Sequence, residues 1–348
     1  MTYDPSLTGN SKLGIFGLPF TEEFADLILL PVPWEVTTSY RSGTSKGPNS
    51  IFEASPQLDL EDLHWKNAWR KGIFYDSPFG DDIEKLNNSM KPLAQEIIAT
   101  LENGDELNKL QKENLAKINQ AGETVNKLIF ERTKSLLSQN KCVGLVGGDH
   151  SSPLGLIKAI DQSMTDSFGI LHIDAHADLR NAYQGFEYSH ASIMNNVLAS
   201  CSNIGALVQV GIRDFCDEEQ QTIDSNPIIH CFYDRQLMIQ KFNNKSWHDI
   251  VNEMINQLPE KVYVSCDIDG LDPELCPDTG TPVPGGLSFN ELTYILLQLK
   301  KSGKQIVGFD LCEVSPGETD FNEWNAIVGA RVLFQLANAT LSDRLYEV

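Results

Sequence analysis

Apolar residues gather in short runs closed by Gly, Pro or Asp, at 27–30, 142–146, 169–173, 207–212, 228–232, 262–266 and 306–309. Uninterrupted runs of this length suit strands buried on both faces. Between them, apolar side chains return at helical spacing over 153–160, 191–199, 247–258, 288–299 and 323–337. Strand and helix alternate, which predicts a parallel sheet covered by helices. From about 83 to 140 the rhythm changes: Leu86, Met90, Leu93, Ile97, Leu101, Leu128, Leu136 and Leu137 stand among charged and amide side chains. This predicts two or more amphipathic helices, broken at Asn103-Gly104-Asp105. No repeat, low-complexity tract or Pro- or Ser-rich linker divides the chain, so residues 1–348 read as a single domain.

A formal charge of −21 argues against a nucleic-acid partner, which would need a basic surface for phosphates. It mildly favours a small cationic substrate, although an acidic surface often serves solubility alone. Seven cysteines without C-x-x-C spacing read as buried thiols of a reducing compartment. No segment is apolar for long enough to span a bilayer, and the start, Met1–Gly9, is polar. The expectation is a cytoplasmic protein with no membrane partner.

The chemistry concentrates where predicted strands end. The run at 169–173 leads into Asp174-Ala-His176-Ala-Asp178. In extended backbone, alternate residues point the same way, so these three can converge. The run at 262–266 leads into Asp267 and Asp269, and that at 142–146 into Gly147-Gly148-Asp149-His150. Parallel sheets carry their sites at such carboxyl ends. One Asp-x-His-x-Asp would be weak evidence, since Asp and His are common turn and cap residues. Three clusters of this kind strengthen the case, provided the three strands lie close in space, because acids gathered at one sheet edge are costly without a cation.

Six candidate ligands, His150, Asp174, His176, Asp178, Asp267 and Asp269, are too many for one zinc. Two divalent ions would balance the four carboxylates and leave a nearly neutral site able to acidify water. Oxygen-rich ligation with two imidazoles suits manganese, with nickel or another divalent ion still open.

At these residues the chain resembles the ureohydrolase superfamily of arginases, agmatinases and formimidoylglutamases. The resemblance rests on Gly147-Gly-Asp-His150, Asp174-Ala-His-Ala-Asp178, Ser265-Cys-Asp-Ile-Asp-Gly-Leu-Asp-Pro273, Gly280-Thr-Pro-Val-Pro-Gly-Gly286, Gly308-Phe-Asp-Leu-Cys-Glu313-Val-Ser-Pro316 and Gly43-Thr-Ser-Lys-Gly47-Pro48. It implies a three-layer α/β/α fold with a central, mainly parallel eight-stranded sheet, a two-manganese site and hydrolysis of a guanidine or related C=N group. By the same resemblance, the six candidates above are the ligands, Glu313 holds the substrate guanidinium, and His190 passes a proton to the leaving amine. As an imidazole near its natural titration range, His190 suits that task. The resemblance also implies a homo-oligomer, a trimer or hexamer.

Within the superfamily, Arg180 stands where arginases carry an Asn, and Gly211-Ile-Arg-Asp-Phe-Cys216 ends in Cys where they carry an Asp. Both departures disfavour arginine. The stretch from Asp178 to His190 looks like agmatinases, which hydrolyse agmatine to putrescine and urea. Guanidinobutyrate or another guanidino acid, free guanidine and formimidoylglutamate stay open, because Arg180 could meet an acidic substrate end. Trp34, Tyr40, Phe186 and Glu187 are placed in rim loops as candidates for that choice. A mononuclear zinc deacylase and a metal-binding member without turnover are the remaining readings. His172, which shares parity with Asp174, reads as a hydrogen-bonded core residue.

Overall fold

The computed structural model describes residues 13–317 and 323–342. Met1–Gly9, read above as a polar start, lies outside them. Among the described residues the strands are β1 (Leu27–Val32), β2 (Ile73–Tyr75), β3 (Cys142–Gly147), β4 (Phe168–Ile173), β5 (Ile204–Val210), β6 (Ile229–Phe232), β7 (Lys261–Asp267) and β8 (Gln305–Cys312). The helices are α1 (Gly47–Ala54), α2 (Ser77–Glu102), α3 (Lys109–Ser138), α4 (Leu154–Ser163), α5 (Ile193–Ser200), α6 (Asp217–Ser225), α7 (Asp234–Phe242), α8 (Trp247–Asn256), α9 (Phe289–Lys301) and α10 (Trp324–Leu341).

The strands form one sheet in the order β2-β1-β3-β8-β7-β4-β5-β6, and every pairing is parallel. The expected mainly parallel sheet is thus wholly parallel, with helices on both faces. Alternation along the strands builds two cores. Leu27 and Leu29 join one, with Val262, Val264 and the apolar faces of α8 to α10. Ile28, Leu30 and Val32 join the other, with Tyr263 and the buried faces of α2 to α5.

The predicted break at 103–105 is the gap between α2 and α3, so the helical segment runs from 77 to 138. A capping box opens α3, in which Asn108 Oδ1 accepts from Gln111 N–H and Gln111 Oε1 from Asn108 N–H. Three of the helices, α1, α6 and α7, and the short edge strand β2 were not anticipated. β2 offers only three residues, too few for a periodic signal, and α6 buries little beyond Glu219 and Ile223. Among the described residues no helix is long and apolar enough to cross a membrane.

Candidate active site

Four neighbouring central strands, β3, β8, β7 and β4, end at one place, and each delivers candidate residues there. His150 follows β3, Glu313 follows β8, Asp267 closes β7, and Asp174 to Asp178 follow β4. The condition that the three acidic strand ends lie close in space is therefore met.

The carboxylates cluster about two imidazole nitrogens. His150 Nδ1 lies 2.9 Å from Asp174 Oδ2, 3.3 Å from Asp178 Oδ2 and 3.3 Å from Asp267 Oδ2. His176 Nδ1 lies 3.5 Å from Asp174 Oδ1 and 3.1 Å from Asp269 Oδ2. Asp174 thus turns one oxygen to each group, the arrangement of a carboxylate shared between two cation positions. Local backbone bonds aim the acids: Asp174 Oδ1 accepts from His176 N–H at 2.6 Å, Asp267 Oδ1 from Asp269 N–H at 2.8 Å, and Asp269 Oδ1 from Ala175 N–H at 3.1 Å. Asp178 and Glu313 both adopt positive φ, 54° and 63°, a conformation that ordinary side chains rarely take and that clusters at functional sites.

The electrostatics show a cluster in need of positive charge. Burial would depress the imidazoles, yet the surrounding carboxylates hold His150 and His176 well above their ordinary value. Burial, with Asp269 and Asp174 nearby, pushes Asp267 far up. Glu313 is pushed up by its own burial and then by Asp149, and its Oε2 is buried without a hydrogen-bond partner. Its Oε1 accepts from His150 N–H at 2.9 Å. Four buried carboxylates with two imidazoles, in two groups sharing Asp174, fit a pair of divalent cations, and the orphaned Oε2 fits a cationic substrate.

His172 behaves as a structural residue. Gln209 Nε2 donates to the Ala177 carbonyl at 2.7 Å and lies 3.0 Å from His172 Nδ1, so His172 carries its proton on Nε2, 2.9 Å from Asp174 Oδ2. Behind His150, Nε2 lies 2.9 Å from Ser265 Oγ and 3.5 Å from Asp310 Oδ1, and the Tyr263 hydroxyl donates to Asp310 Oδ2 at 2.8 Å. Such outer partners fix which nitrogen faces the cluster. Asp149 and Arg213 lie in stretches already noted but had no assigned part. Arg213 donates to the carbonyls of Gly211, Asp269, Leu271 and Val283, tying the loop at 280–286 to the end of β7. No sequence pattern pointed to Thr37.

A cavity of about 170 Å³ opens beside the cluster, lined among others by Ser39, Arg180, Tyr183, His190, Asp214 and Glu219. A space of this size suits a small molecule rather than a polymer. Arg180 faces it, with Nε 3.7 Å from Glu219 Oε2 and its guanidinium over the Tyr183 ring at 5.2 Å. Asp214 sits at the mouth, its side chain 68% exposed and its Oδ2 4.0 Å from His176 Nε2.

Three rim assignments fail. Trp34 is 2% exposed and packs in the core beneath Gly148, where its carbonyl accepts from Asp149 N–H at 2.7 Å. An aromatic beside a ligand loop supports that loop as readily as it lines a rim. Glu187 lies outside the cavity in a groove against α3, its backbone N–H donating to Asn119 Oδ1. Phe186, fully buried, packs in the core as Trp34 does, whereas Tyr40 is exposed. His190 also differs in state: burial first, then His176, push it down to about 4 instead of leaving it near its natural range.

Comparison with known proteins agrees with this geometry. A sequence profile described as "Arginase family" matches residues 25–338. Over 296 residues the chain is 29% identical to an N(1)-aminopropylagmatine ureohydrolase of Synechocystis, covering 84% of this chain and 82% of that one. Over 313 residues it is 30% identical to an agmatinase of Pyrococcus horikoshii, covering 89% and 90%. Among solved structures, a hypothetical agmatinase from Burkholderia thailandensis superposes with a TM-score of 0.69 at 22% identity, over 95% of this chain and 92% of that one.

Proposed function

The chain belongs to the arginase family and is a ureohydrolase of that family, and from that premise we propose that it is a manganese-dependent agmatinase. It takes a guanidine whose far end is an amine and releases urea. The observation that carries the substrate choice is the charge at the cavity mouth. Glu219, buried and accepting from the N–H groups of Leu179 and Cys216, stands beside Arg180 and offsets its charge, while Asp214 presents a solvent-facing carboxylate. A carboxylate tail would meet Asp214 as a like charge, and an ammonium tail as an opposite one.

His150, Asp174, His176, Asp178, Asp267 and Asp269 would hold two divalent ions, which would supply the positive charge and the acidified water that hydrolysis near neutral pH requires. Glu313 Oε2, without a partner of its own, accepts guanidinium N–H groups and fixes the carbon toward the cluster. The Thr37 hydroxyl reaches Asp149 Oδ2 at 3.3 Å, and His190 Nδ1 lies 3.4 Å from the same hydroxyl oxygen. With the hydroxyl proton directed to Asp149, Nδ1 carries the imidazole proton. Nε2 is left to take up a proton and hand it to the departing amine.

A longer amine-tailed guanidine, N(1)-aminopropylagmatine, is the second reading. It is favoured by the Synechocystis relative and by the half-exposed Phe215 beside Asp214, which offers an apolar wall to a longer chain. The test is urea release by manganese-loaded protein from agmatine, N(1)-aminopropylagmatine, arginine, guanidinobutyrate and guanidine, with formamide release from formimidoylglutamate in parallel. Preference for either amine-tailed guanidine supports the reading. Preference for a carboxylate-bearing substrate would overturn the assignment of Asp214, and no turnover with manganese, nickel, cobalt or zinc would overturn the enzyme itself. Like its relatives by resemblance, the protein is proposed to work as a trimer or hexamer in the cytoplasm.

A further inference from the structure

One face of α2 packs against β1 and the residues that follow it. Ile83, Asn87, Ala94 and Ile98 are buried along it, and Lys91, one turn beyond Asn87, falls on that face with its side chain 15% exposed. An ammonium so placed is costly unless paired. Its partner is Oε1 of the buried Glu35, and Asn87 Oδ1 accepts the backbone N–H of the same Glu35 at 2.8 Å. The other oxygen, Oε2, accepts from Gly43 N–H at 2.7 Å, Ser45 N–H at 3.0 Å and the Thr44 hydroxyl at 3.2 Å.

Glu35 is therefore gripped by α2 on one side and itself grips the turn at 43–45 on the other. The loop pinned between these points carries Thr37, whose hydroxyl spans His190 and Asp149, and Ser39, which lines the cavity. At the far pin, Gly43 has φ of 134°, and a Cβ there would come within 2.5 Å of Ser315 Oγ, so the turn lies tight against the segment that follows Glu313. Both groups that meet the substrate in the reading above are thus bordered by one loop. A buried ion pair contributes little net stability against an apolar pair of the same size, but one geometry satisfies its hydrogen bonds.

We propose that Glu35, clasped by Lys91 and Asn87 of α2, is a positioning residue that sets the 36–45 loop against His190 and the Glu313 segment. The inference rests on the roles given above to His190 and Glu313, and not on which guanidine is cleaved.

The test compares Lys91→Met and Glu35→Gln with Lys91→Arg in the full-length, manganese-loaded protein. Four quantities are read: amide exchange over 43–45, bound metal, the thermal midpoint, and kcat and KM on the guanidine the wild type cleaves fastest. The expected result is exchange about tenfold faster at Gly43 and Ser45. With it, kcat falls about ten- to a hundredfold at wild-type metal content, KM moves less, and Lys91→Arg restores both exchange and kcat. Wild-type exchange in Lys91→Met, wild-type kcat despite faster exchange, or a loss that follows lost metal and is not restored by Lys91→Arg would each overturn the proposal. Should Lys91→Met not fold, Asn87→Ala, which removes the backbone clasp alone, is read the same way. A wild type that cleaves none of the guanidines overturns the proposed function, and the exchange measurement still decides the clasp.

Discussion

With its pKa pushed down to about 4 by burial and by His176, His190 stands as a neutral imidazole near neutral pH. Added cations beside His176 would hold it lower still. Its protonation should therefore contribute no activity limb near pH 6.5, the ordinary histidine value, and a pH profile of kcat/KM with a His190→Asn control checks this. That variant should lose about 10²- to 10⁴-fold in kcat while binding metal as the wild type does. Asp267→Ala should behave differently, losing metal and activity together by metal analysis and urea assay, because its carboxylate faces the His150 group and would be one of the ligands there. At this scale the sequence was legible wherever the chemistry sits at a strand end. His150, Asp174, His176, Asp178, Asp267, Asp269 and Glu313 come together as expected, since alternate residues of extended backbone share a side. The rim was not legible. Trp34 and Glu187 were placed by residue type, and loops such as 33–46 and 179–189 carry no period that says which side faces inward.

The elements show where local chemistry decides and where packing does. Ser288 and Glu291 open α9 with a capping box, and Lys241 of α7 pairs with Glu291 across the surface. Burial works to raise Glu291, but Lys241 and Ser288 hold it below its ordinary value. A depressed carboxylate stabilises the fold above its unfolded pKa, and that contribution is lost as pH falls through the folded one. Glu291→Gln, which keeps the capping-box bond and loses the ion pair, should therefore cost about 0.2–1 kcal/mol at neutral pH and progressively less in acid below about pH 4, as denaturant titrations would show. Gly148 presents the opposite case, where space decides. A Cβ there would lie 2.1 Å from the Trp34 carbonyl, and backbone cannot yield as a side chain can. Gly148→Ala should destabilise by about 1–3 kcal/mol in denaturant unfolding and loosen metal binding, because the same turn carries His150. The long α2–α3 pair was read correctly as helical from its apolar spacing. Its use was not readable, because Asn87 and Lys91 look like solvated polar residues until the fold turns that face inward.

For the whole molecule, charge governs the metal-free state. The chain carries −21 overall and gathers four carboxylates and two imidazoles in its interior. Chelation should lower the thermal midpoint, and excess manganese should restore it. At free metal about a thousandfold above Kd the gain is about 4 kcal/mol. A midpoint indifferent to chelator would argue that the cluster holds no ion.

The strand order has a further meaning for how the protein is made. β3 and β4 follow each other in the chain but have two strands between them, β8 and β7, the last two in sequence among the described residues. His150 and Asp174 leave the ribosome long before Asp267, Asp269 and Glu313 exist to join them, and long-range parallel pairing is slow to form. The six-residue cluster is therefore complete only once β7 and β8 have joined the sheet. A fragment that stops before them lacks the middle of this sheet, and with it Asp267, Asp269 and Glu313.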